Sequence, residues 1–507
     1  MDYFSTDNLK SGLRIRALRG ATVSIIAQVT IFGVQTIGTI ILARMLTPDD
    51  FGLVTMVLTF SLLVGNFGVN GFTEAIIQSK EINHEQISTI FWINIGFSIV
   101  LALLFIVSSP VIVWFYKEPR LKSIIITLAA SNVIASLSVQ HQALLKRSMQ
   151  FYKISANDII ASIFCIMIPI ILARGGWGYW ALVAKWFISP LMITLGSWII
   201  CGWRPGLPAK NSGVRPMLKY AFHTYGNFIM SYFRRNVDKM LIGHSFGSQP
   251  LGYYDRAYHL SSMPINQIVS PIYSVAVSTF SRVSNNPEKY RNNYLQVISI
   301  LAFIGMPMSA VLTLISHDLI LLLLGPQWQK AGQIFLCFGF SIGIMIIYLT
   351  HGWLHLSLGT PDRWFRWSII EFIVTSLCFL VGLAFGPLGI AVAFSASFYI
   401  LLCPALWYAG KPIQLKISYV LSVLWKYYVS ALTAGLFCWF ILYSYSPTST
   451  MMLKYNVLIR VVISIISSLL LYLALVIAFH QSIKPVSQFL LILREITKKK
   501  SPEQEHL

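Results

Sequence analysis

Long apolar blocks, separated by short polar connections, run through almost the whole chain. Residues 21–43 contain no charged side chain, and a helix of that length, at about 1.5 Å per residue, crosses a hydrocarbon layer of roughly 30 Å. Transmembrane β-strands would need only about ten alternating residues, so the pattern favours helices. It predicts an all-α polytopic membrane protein with about 14 transmembrane helices. We place them at 21–44, 51–71, 88–115, 121–144, 154–173, 177–201, 217–246, 251–277, 294–323, 331–356, 367–385, 388–408, 424–445 and 456–479.

The composition agrees with a membrane location. Of the 507 residues, 56% are apolar and 11% are charged, and the mean hydropathy is +0.68. Charge this sparse cannot cover a soluble globule of this size. All 6 cysteines lie inside apolar blocks, where they are typical of small packed side chains rather than disulfides or thiolate metal sites. We therefore predict no cofactor and no metal site.

Lysines and arginines indicate the orientation of the chain. Most of the 38 fall in connections that share one side of the membrane with the N-terminus, and the tail carries Lys498, Lys499 and Lys500 on that side too. Positive residues are retained in the cytoplasm, so both termini are predicted to be cytoplasmic. The net charge of +20 then reflects this bias and attraction to anionic membrane lipids, and it does not indicate a nucleic-acid partner.

Two segments of the chain are similar to each other. ILARMLTPDDFGLV at 41–54 aligns without gaps with LIGHSFGSQPLGYY at 241–254, and FYKEPRL at 115–121 resembles LLGPQWQ at 323–329. One repeat period holds six spans, and because six is even, both copies enter the membrane in the same direction. This predicts two six-helix lobes related by a pseudo-twofold axis along the membrane normal, with a cavity between them. The predicted organisation is a cytoplasmic N-terminal segment at 1–20, an N-lobe at 21–201, a cytoplasmic linker at 202–216, a C-lobe at 217–408, two accessory helices at 424–479 and a cytoplasmic basic tail at 480–507.

The seventh predicted span contains a cluster of charges in YFRRNVDKMLIG, residues 232–243. Each arginine, lysine or aspartate at a helix centre costs about 2.5 to 3.5 kcal/mol in lipid. Asp238 is four residues from Arg234 and can neutralise one cation on the same helix face, which leaves a positive surplus. In one interpretation Arg234, Arg235 and Lys239 line the cavity and bind an anion, for which arginine is suited because it meets phosphate oxygens with two donors. In the other, Arg235 and Lys239 extend to the outer headgroups, and Arg234 and Asp238 form a salt bridge between helices.

Further polar residues inside spans are weaker candidates. Lys185 either faces the cavity or extends to the interface. Gln28 and Gln35 lie on one face of the first span, where they pack across helices or contact sugar hydroxyls. Asn66 and Asn236 are further candidates for the polar lining of the cavity.

Two histidines and one acid are candidates for ion coupling. His351 and His355 are four residues apart on the tenth span, and Glu371 lies on the next. This spacing fits a metal site, proton coupling or simple polar packing. No nucleophile–base pair or phosphate-binding loop is recognisable, and the outer connections are too short for a catalytic domain, so the chain is predicted not to be an enzyme.

Five stretches carry a resemblance to a known family. They are LARMLTPDDFGLV, AIIQSK, TIFWINIGF, ALLKRSMQF and LGYYDRAYHL. In these stretches the chain resembles the Wzx-type polysaccharide exporters, most closely their colanic-acid-exporter-like branch, within the superfamily that also contains MATE multidrug exporters and MurJ lipid II flippases. Lipid II flippases carry several arginines on their early helices, whereas the first span here has Gln28, Gln35 and only a terminal Arg44.

The resemblance implies a fold and a function. The fold has twelve core helices and two accessory ones, and the cargo is an oligosaccharide repeat unit on undecaprenyl diphosphate, moved by alternating access to the periplasmic leaflet of the bacterial inner membrane for surface polysaccharide synthesis. Arg234 and Arg235 match the cationic cavity described for the family. Implied partners are membrane lipids, the polysaccharide polymerase and chain-length machinery, and coupling H⁺ or Na⁺. The alternatives are a lipid II or multidrug exporter, a membrane-embedded polymerase or glycosyltransferase, and a structural scaffold.

Overall fold

The fold is a set of helices joined by short connections. A computed structural model describes residues 13–79, 82–209, 213–215, 217–218, 232 and 236–487, and these residues contain no strand. The helices are α1 (Leu13–Met45), α2 (Pro48–Gln78), α3 (His84–Val107), α4 (Ser109–Tyr116), α5 (Leu121–Ser136), α6 (Val139–Arg147), α7 (Phe151–Arg174), α8 (Tyr179–Ile200), α9 (236–246), α10 (Ser248–Arg282), α11 (Pro287–Leu314), α12 (Ser316–Leu323), α13 (Gln329–Ser357), α14 (Pro361–Leu383), α15 (Gly386–Gly410), α16 (Ile417–Trp439), α17 (Ser446–Lys454) and α18 (Val457–His480).

The prediction of an all-α polytopic membrane protein is confirmed. Within the described residues, 11 helical segments are long and apolar enough to cross a membrane, and each matches one of the predicted spans. Of the three remaining spans, 217–246 falls largely outside the described residues, and the other two are the helices α2 and α10. The polar residues of α10, which include Asp255 and Arg256, keep it below the apolarity of the 11.

Three predicted spans are broken in the structure. The span at 88–115 divides at Ser108, and Pro110 near the start of α4 has no N–H to continue the helical ladder. The span at 294–323 divides at Ile315, so the third helix of each repeat is followed by a helix of 8 residues. Between α5 and α6, the hydroxyls of Ser136 and Ser138 bond to carbonyls three residues earlier and compete with the backbone ladder.

The described residues form two compact units that divide between Asp255 and Arg256. In the first, α7 packs against both α1 and α8, and α5 packs against α2, α3 and α8. The segment after α8 folds back on α3, where Trp92 Nε1 donates to the carbonyl of Gly206 over 2.8 Å. At the C-terminal end of α2, Arg147 Nη1 donates to the carbonyl of Ile76 and so supplies a hydrogen bond that the helix end lacks.

The second unit is built on α13, which packs against α11 and α15, with α14 covering α15. The accessory helix α16 packs against α11, and α18 packs against α16. Two hydrogen bonds fix this arrangement: Tyr472 donates to the carbonyl of Phe303 over 3.0 Å, and the hydroxyls of Tyr427 and Ser299 are 2.9 Å apart. The accessory helices are thus fastened to the third helix of the second repeat.

Candidate functional site

The two arginines of the charged cluster, Arg234 and Arg235, lie outside the described residues. The structure describes their neighbourhood from Tyr232 and from the helical residues 236–246, which are labelled α9. Their assignment to a cavity that binds an anion therefore stays a prediction.

The charged residues that follow them are paired across the hairpin of α9 and α10. Gly247, in the left-handed region at φ 85°, is the single residue between the two helices, and glycine adopts this conformation without strain. The hairpin places Tyr254 against the buried Asp238. The Tyr254 hydroxyl donates a hydrogen bond to Asp238 Oδ2 over 2.7 Å. Lys239 Nζ donates to Oδ1 of the buried Asp255 over 2.8 Å.

Asp255 is a residue of this cluster that we did not single out from the sequence. It was recognisable as the first acid after the turn at Gly247, one residue beyond Tyr254. Asp255 adds a second negative charge to the cluster at 232–243, which contains the three cations Arg234, Arg235 and Lys239 and the acid Asp238. By formal count, one positive charge remains.

Oδ1 of Asp238 is buried and has no hydrogen-bond partner among the residues that the structure describes. Buried carboxylate oxygens are normally bonded. Arg234, four residues earlier on the same span, is at the spacing that allows it to supply this bond.

Lys185 lies beside the polar face of the first helix. Its Nζ is 3.5 Å from Thr39 Oγ1, and Thr39 lies four residues after Gln35, on the face that also holds Gln28. Both glutamines are exposed. Of the predicted polar residues, the structure thus brings Lys185 close to the face of α1 that carries the two glutamines.

The two asparagines have different outcomes. Asn236 Nδ2 donates to the carbonyl of Tyr232 over 2.8 Å, a local bond that satisfies its amide. Asn66 is in α2, but its side chain lies outside the described residues. Neither observation tests their assignment to a cavity.

His351 and His355 are buried on α13 in an aromatic environment, and their ring centroids are 6.2 Å apart. Nδ1 of His351 is 2.6 Å from the carbonyl of Tyr348, and Nδ1 of His355 is 3.1 Å from Thr360 Oγ1. Glu371 is half-buried on α14. No group of three metal-ligating side chains occurs in the part of the chain that the structure describes.

The first unit carries an ion-pair cluster between the start of α2 and the connection from α4 to α5. Arg120 bonds to Asp49 Oδ2 over 3.0 Å and to Glu118 Oε1 over 2.8 Å. The hydrogen bond from Arg120 holds the pKa of Glu118 below its ordinary value, so this carboxylate is ionised at neutral pH.

The second unit contains a cavity of about 580 Å³ between the core helices and α16. Its lining includes several aromatic side chains and the ion pair of Asp318 and Arg460, with an N–O distance of 2.7 Å. The main aromatic lining residues are Phe340, Tyr399, Tyr428, Trp439 and Tyr443.

Comparisons with known proteins give the family and the fold. Residues 41–333 match the model of the family described as "Polysaccharide biosynthesis protein". The lipopolysaccharide biosynthesis protein WzxC of Escherichia coli K12 is 24% identical over 438 residues, which are 82% of this chain and 86% of that protein. The succinoglycan biosynthesis transport protein ExoT of Rhizobium meliloti 1021 is 24% identical over 359 residues, 70% of this chain and 72% of that protein.

A solved structure of the lipid II flippase MurJ in an inward closed conformation is similar with a TM-score of 0.72 and 16% identity, over 90% of this chain and 99% of that one. This similarity shows that the two proteins share a fold. Together with the family match, it confirms the predicted resemblance to Wzx-type exporters.

Proposed function

Because the chain belongs to this polysaccharide biosynthesis family, we propose that it is a flippase for oligosaccharide repeat units linked to undecaprenyl diphosphate. It moves them by alternating access from the cytoplasmic to the periplasmic leaflet of the bacterial inner membrane, with both of its own termini in the cytoplasm. The observation that carries the proposal is the family match over residues 41–333. The fold shared with a lipid II flippase and the relatives named for polysaccharide synthesis support it.

The diphosphate of the cargo requires a cationic binding site. The charged side chains of the hairpin of α9 and α10 support a site next to this hairpin. Lys239 is held by Asp255, and Asp238 has an oxygen oriented by Tyr254. The positive charge that these acids do not balance is assigned to the guanidinium groups of Arg234 and Arg235. Guanidinium groups bind phosphate oxygens with paired N–H donors.

The polar face of α1 is assigned to the sugar part of the cargo. Gln28 and Gln35 are exposed on this face and offer both donors and acceptors to hydroxyl groups. Lys185, near Thr39 at the outer end of the same face, adds a positive charge. This chemistry suits a headgroup that is rich in hydroxyls and carries few anions.

The polyprenyl chain of the cargo is assigned to the accessory helices. The aromatic cavity beside α16 offers apolar surface, and the two charged residues in its lining, Asp318 and Arg460, are paired with each other. This leaves the lipid in an apolar environment while the headgroup crosses.

The function is tested in a strain from which the gene is deleted. Lipid-linked repeat units are expected to accumulate on the cytoplasmic leaflet, and the wild-type gene should restore surface polysaccharide. The double variant R234Q/R235Q should not restore it at an equal level of membrane protein, because its site has lost both donors to the diphosphate.

The matched control is K454Q, which removes one exposed positive charge from α17 and is expected to restore export fully. Normal polysaccharide in the R234Q/R235Q strain would overturn the anion site. Repeat units that reach the periplasmic leaflet at the wild-type rate in the deletion strain would overturn the function.

A further inference from the structure

Helix α10 exposes a polar face, although it is one of the predicted membrane spans. Asn266, Gln267 and Ser270 are exposed near the middle of this 35-residue helix, and Tyr273, one turn further on, is 39% exposed. These residues recur three to four positions apart, so they share one side of the helix. We call this surface, made of Asn266, Gln267, Ser270 and Tyr273, the polar face of α10; it lies entirely within the second compact unit.

Helix α10 packs into the second unit through a different side. Ile265, Ala276 and Phe280 are buried in the core of that unit. Asn266 and Gln267 follow Ile265 directly, but no hydrogen bond joins either side-chain amide to another residue that the structure describes. The polar face of α10 therefore has donors and acceptors that are available to a ligand.

Pro271 adds a backbone acceptor to these groups. Proline has no N–H, so Pro271 gives no helical hydrogen bond to the carbonyl of Gln267, four residues earlier. A carbonyl that a proline releases in a membrane-spanning helix requires another polar partner, because lipid chains supply none. This carbonyl thus accompanies the side-chain groups of Gln267 and Ser270.

Other helices of the same unit show what a surface suited to lipid looks like. Helix α14 exposes Phe372, Ile373 and Leu377, and α18 exposes Ile466 and Leu470. Amide groups without partners are unfavourable in hydrocarbon, because it offers no hydrogen bonds. We therefore expect the polar face of α10 to contact water or a hydrophilic ligand instead of acyl chains.

The charges along α10 indicate the class of ligand. Between Arg256 and Arg282 the helix has no lysine, arginine, aspartate or glutamate, so its polar face carries no cation for a phosphate. Amides and hydroxyls both donate and accept hydrogen bonds, as sugar hydroxyls do. The exposed ring of Tyr273 adds an apolar surface for the C–H groups of a sugar.

We propose that the polar face of α10 binds uncharged sugars of the cargo, as a second glycan contact besides the glutamines of α1. This inference rests on the proposed function, because it assigns a site to the oligosaccharide of the lipid-linked repeat unit. The diphosphate is bound elsewhere, since phosphate is bound most strongly by cationic donors. Recognition of the glycan and of the diphosphate can therefore be measured separately.

Thermal stabilisation by two lipids tests this assignment. The purified protein is heated in detergent with lipid-linked repeat units extracted from the deletion strain, or with undecaprenyl diphosphate, which has no sugar. Both lipids should raise the melting temperature of the wild type, and the repeat units should raise it further. In N266A/Q267A/S270A the two lipids should raise it equally, because only the contacts with sugar are lost.

The matched control is T279A, which removes an exposed hydroxyl nine residues after Ser270, on the opposite side of α10. It should respond to both lipids as the wild type does. Equal stabilisation of the wild type by both lipids, or an additional effect of repeat units that persists in N266A/Q267A/S270A, would overturn the glycan site and leave the proposed function standing. A wild type that neither lipid stabilises would contradict both.

Labelling of single cysteines gives a result that does not depend on the triple variant. In a background in which the six native cysteines are replaced by alanine, N266C should react with a water-soluble maleimide, because the reactive thiolate forms in water. I373C, at an exposed position of α14, should not react. Lipid-linked repeat units should slow the labelling of N266C more than undecaprenyl diphosphate does. If N266C reacts no faster than I373C, the polar face contacts lipid and the proposal fails.

Discussion

At the residue scale, the buried pair of Lys239 and Asp255 determines how the protein responds to loss of either charge. Its charged atoms are 2.8 Å apart, with 16% and 9% of the side chains exposed. A pair this buried adds little stability compared with an apolar pair, but removal of one partner leaves an uncompensated charge, which costs about 3 to 5 kcal/mol.

We therefore expect D255N to lower the thermal stability of the purified protein, and K239Q/D255N to recover most of the loss because neither charge remains. Thermal unfolding in detergent micelles measures both variants. The control is E288Q, which removes an exposed acid at the start of α11 and should unfold close to the wild type. Equal instability of D255N and K239Q/D255N would contradict the pairing.

The pairing also shows how far residue-level prediction extends. Helical spacing places Asp238 on the face of Arg234, because neighbours three and four residues apart on one helix can be counted in the sequence. It does not reveal Tyr254 or Asp255 as partners, since these come from the next helix and depend on the one-residue turn at Gly247.

At the scale of elements, two pairs of glycines let helices approach closely and should respond differently to substitution. Gly382 and Gly389 join α14 and α15 of one hairpin, where an added Cβ would lie 2.6 and 2.2 Å from the carbonyl oxygen of the other glycine. Gly52 and Gly252 lie where the starts of α2 and α10 meet, and an added Cβ would lie 1.7 and 1.9 Å from the carbonyl oxygens of Ser248 and Pro48. We call this contact the α2–α10 crossing.

We expect G382A and G389A to reduce the amount of folded protein, since overpacking a permanent contact costs about 1 to 3 kcal/mol, while each folded molecule still exports normally. G52A and G252A should instead reduce export per folded molecule, because alternating access would require this contact to open and re-form, and the added Cβ would keep the two backbones apart. The measurements are membrane protein level and polysaccharide export. Loss of folded protein alone in G52A would mean that the crossing is a static contact.

The ends and breaks of helices are predictable only where a residue causes them. The start of α4 was readable from Pro110, whose ring removes a backbone donor. The break at Ile315 has no comparable signal, because hydropathy measures the length of an apolar block and not the geometry of its backbone.

At the scale of the whole molecule, the negative charge of the proposed cargo and the positive charge of its proposed site predict that the transport rate depends on the membrane potential. Moving one elementary charge across the membrane changes the free energy by about 2.3 kcal/mol per 100 mV. An inside-negative potential favours outward movement of an anionic headgroup and inward return of an empty cationic site.

The flipping rate in vesicles with an imposed potential should therefore fall when an ionophore dissipates it. Vesicles that receive the ionophore without a gradient are the control. An unchanged rate would exclude the electrical contribution and leave coupling to H⁺ or Na⁺, for which His351, His355 and Glu371 remain the predicted residues.

The helical architecture could be predicted from the sequence because a bilayer requires apolar segments of a fixed minimum length. The candidate site was less accessible to prediction. The nearness of Lys185 to Thr39 depends on how α8 packs within the first unit, and spacing along the chain carries no information about such contacts between distant helices.

The attachment of the last two membrane-crossing helices has a consequence for the integrity of the protein. Tyr427 and Tyr472 bond to α11, and Arg460 bonds to Asp318 on the following short helix, α12. The link through Lys411–Ile413 is therefore one of several connections that hold these helices in place. A protease that severs this link would leave two polypeptides that stay together as one folded particle.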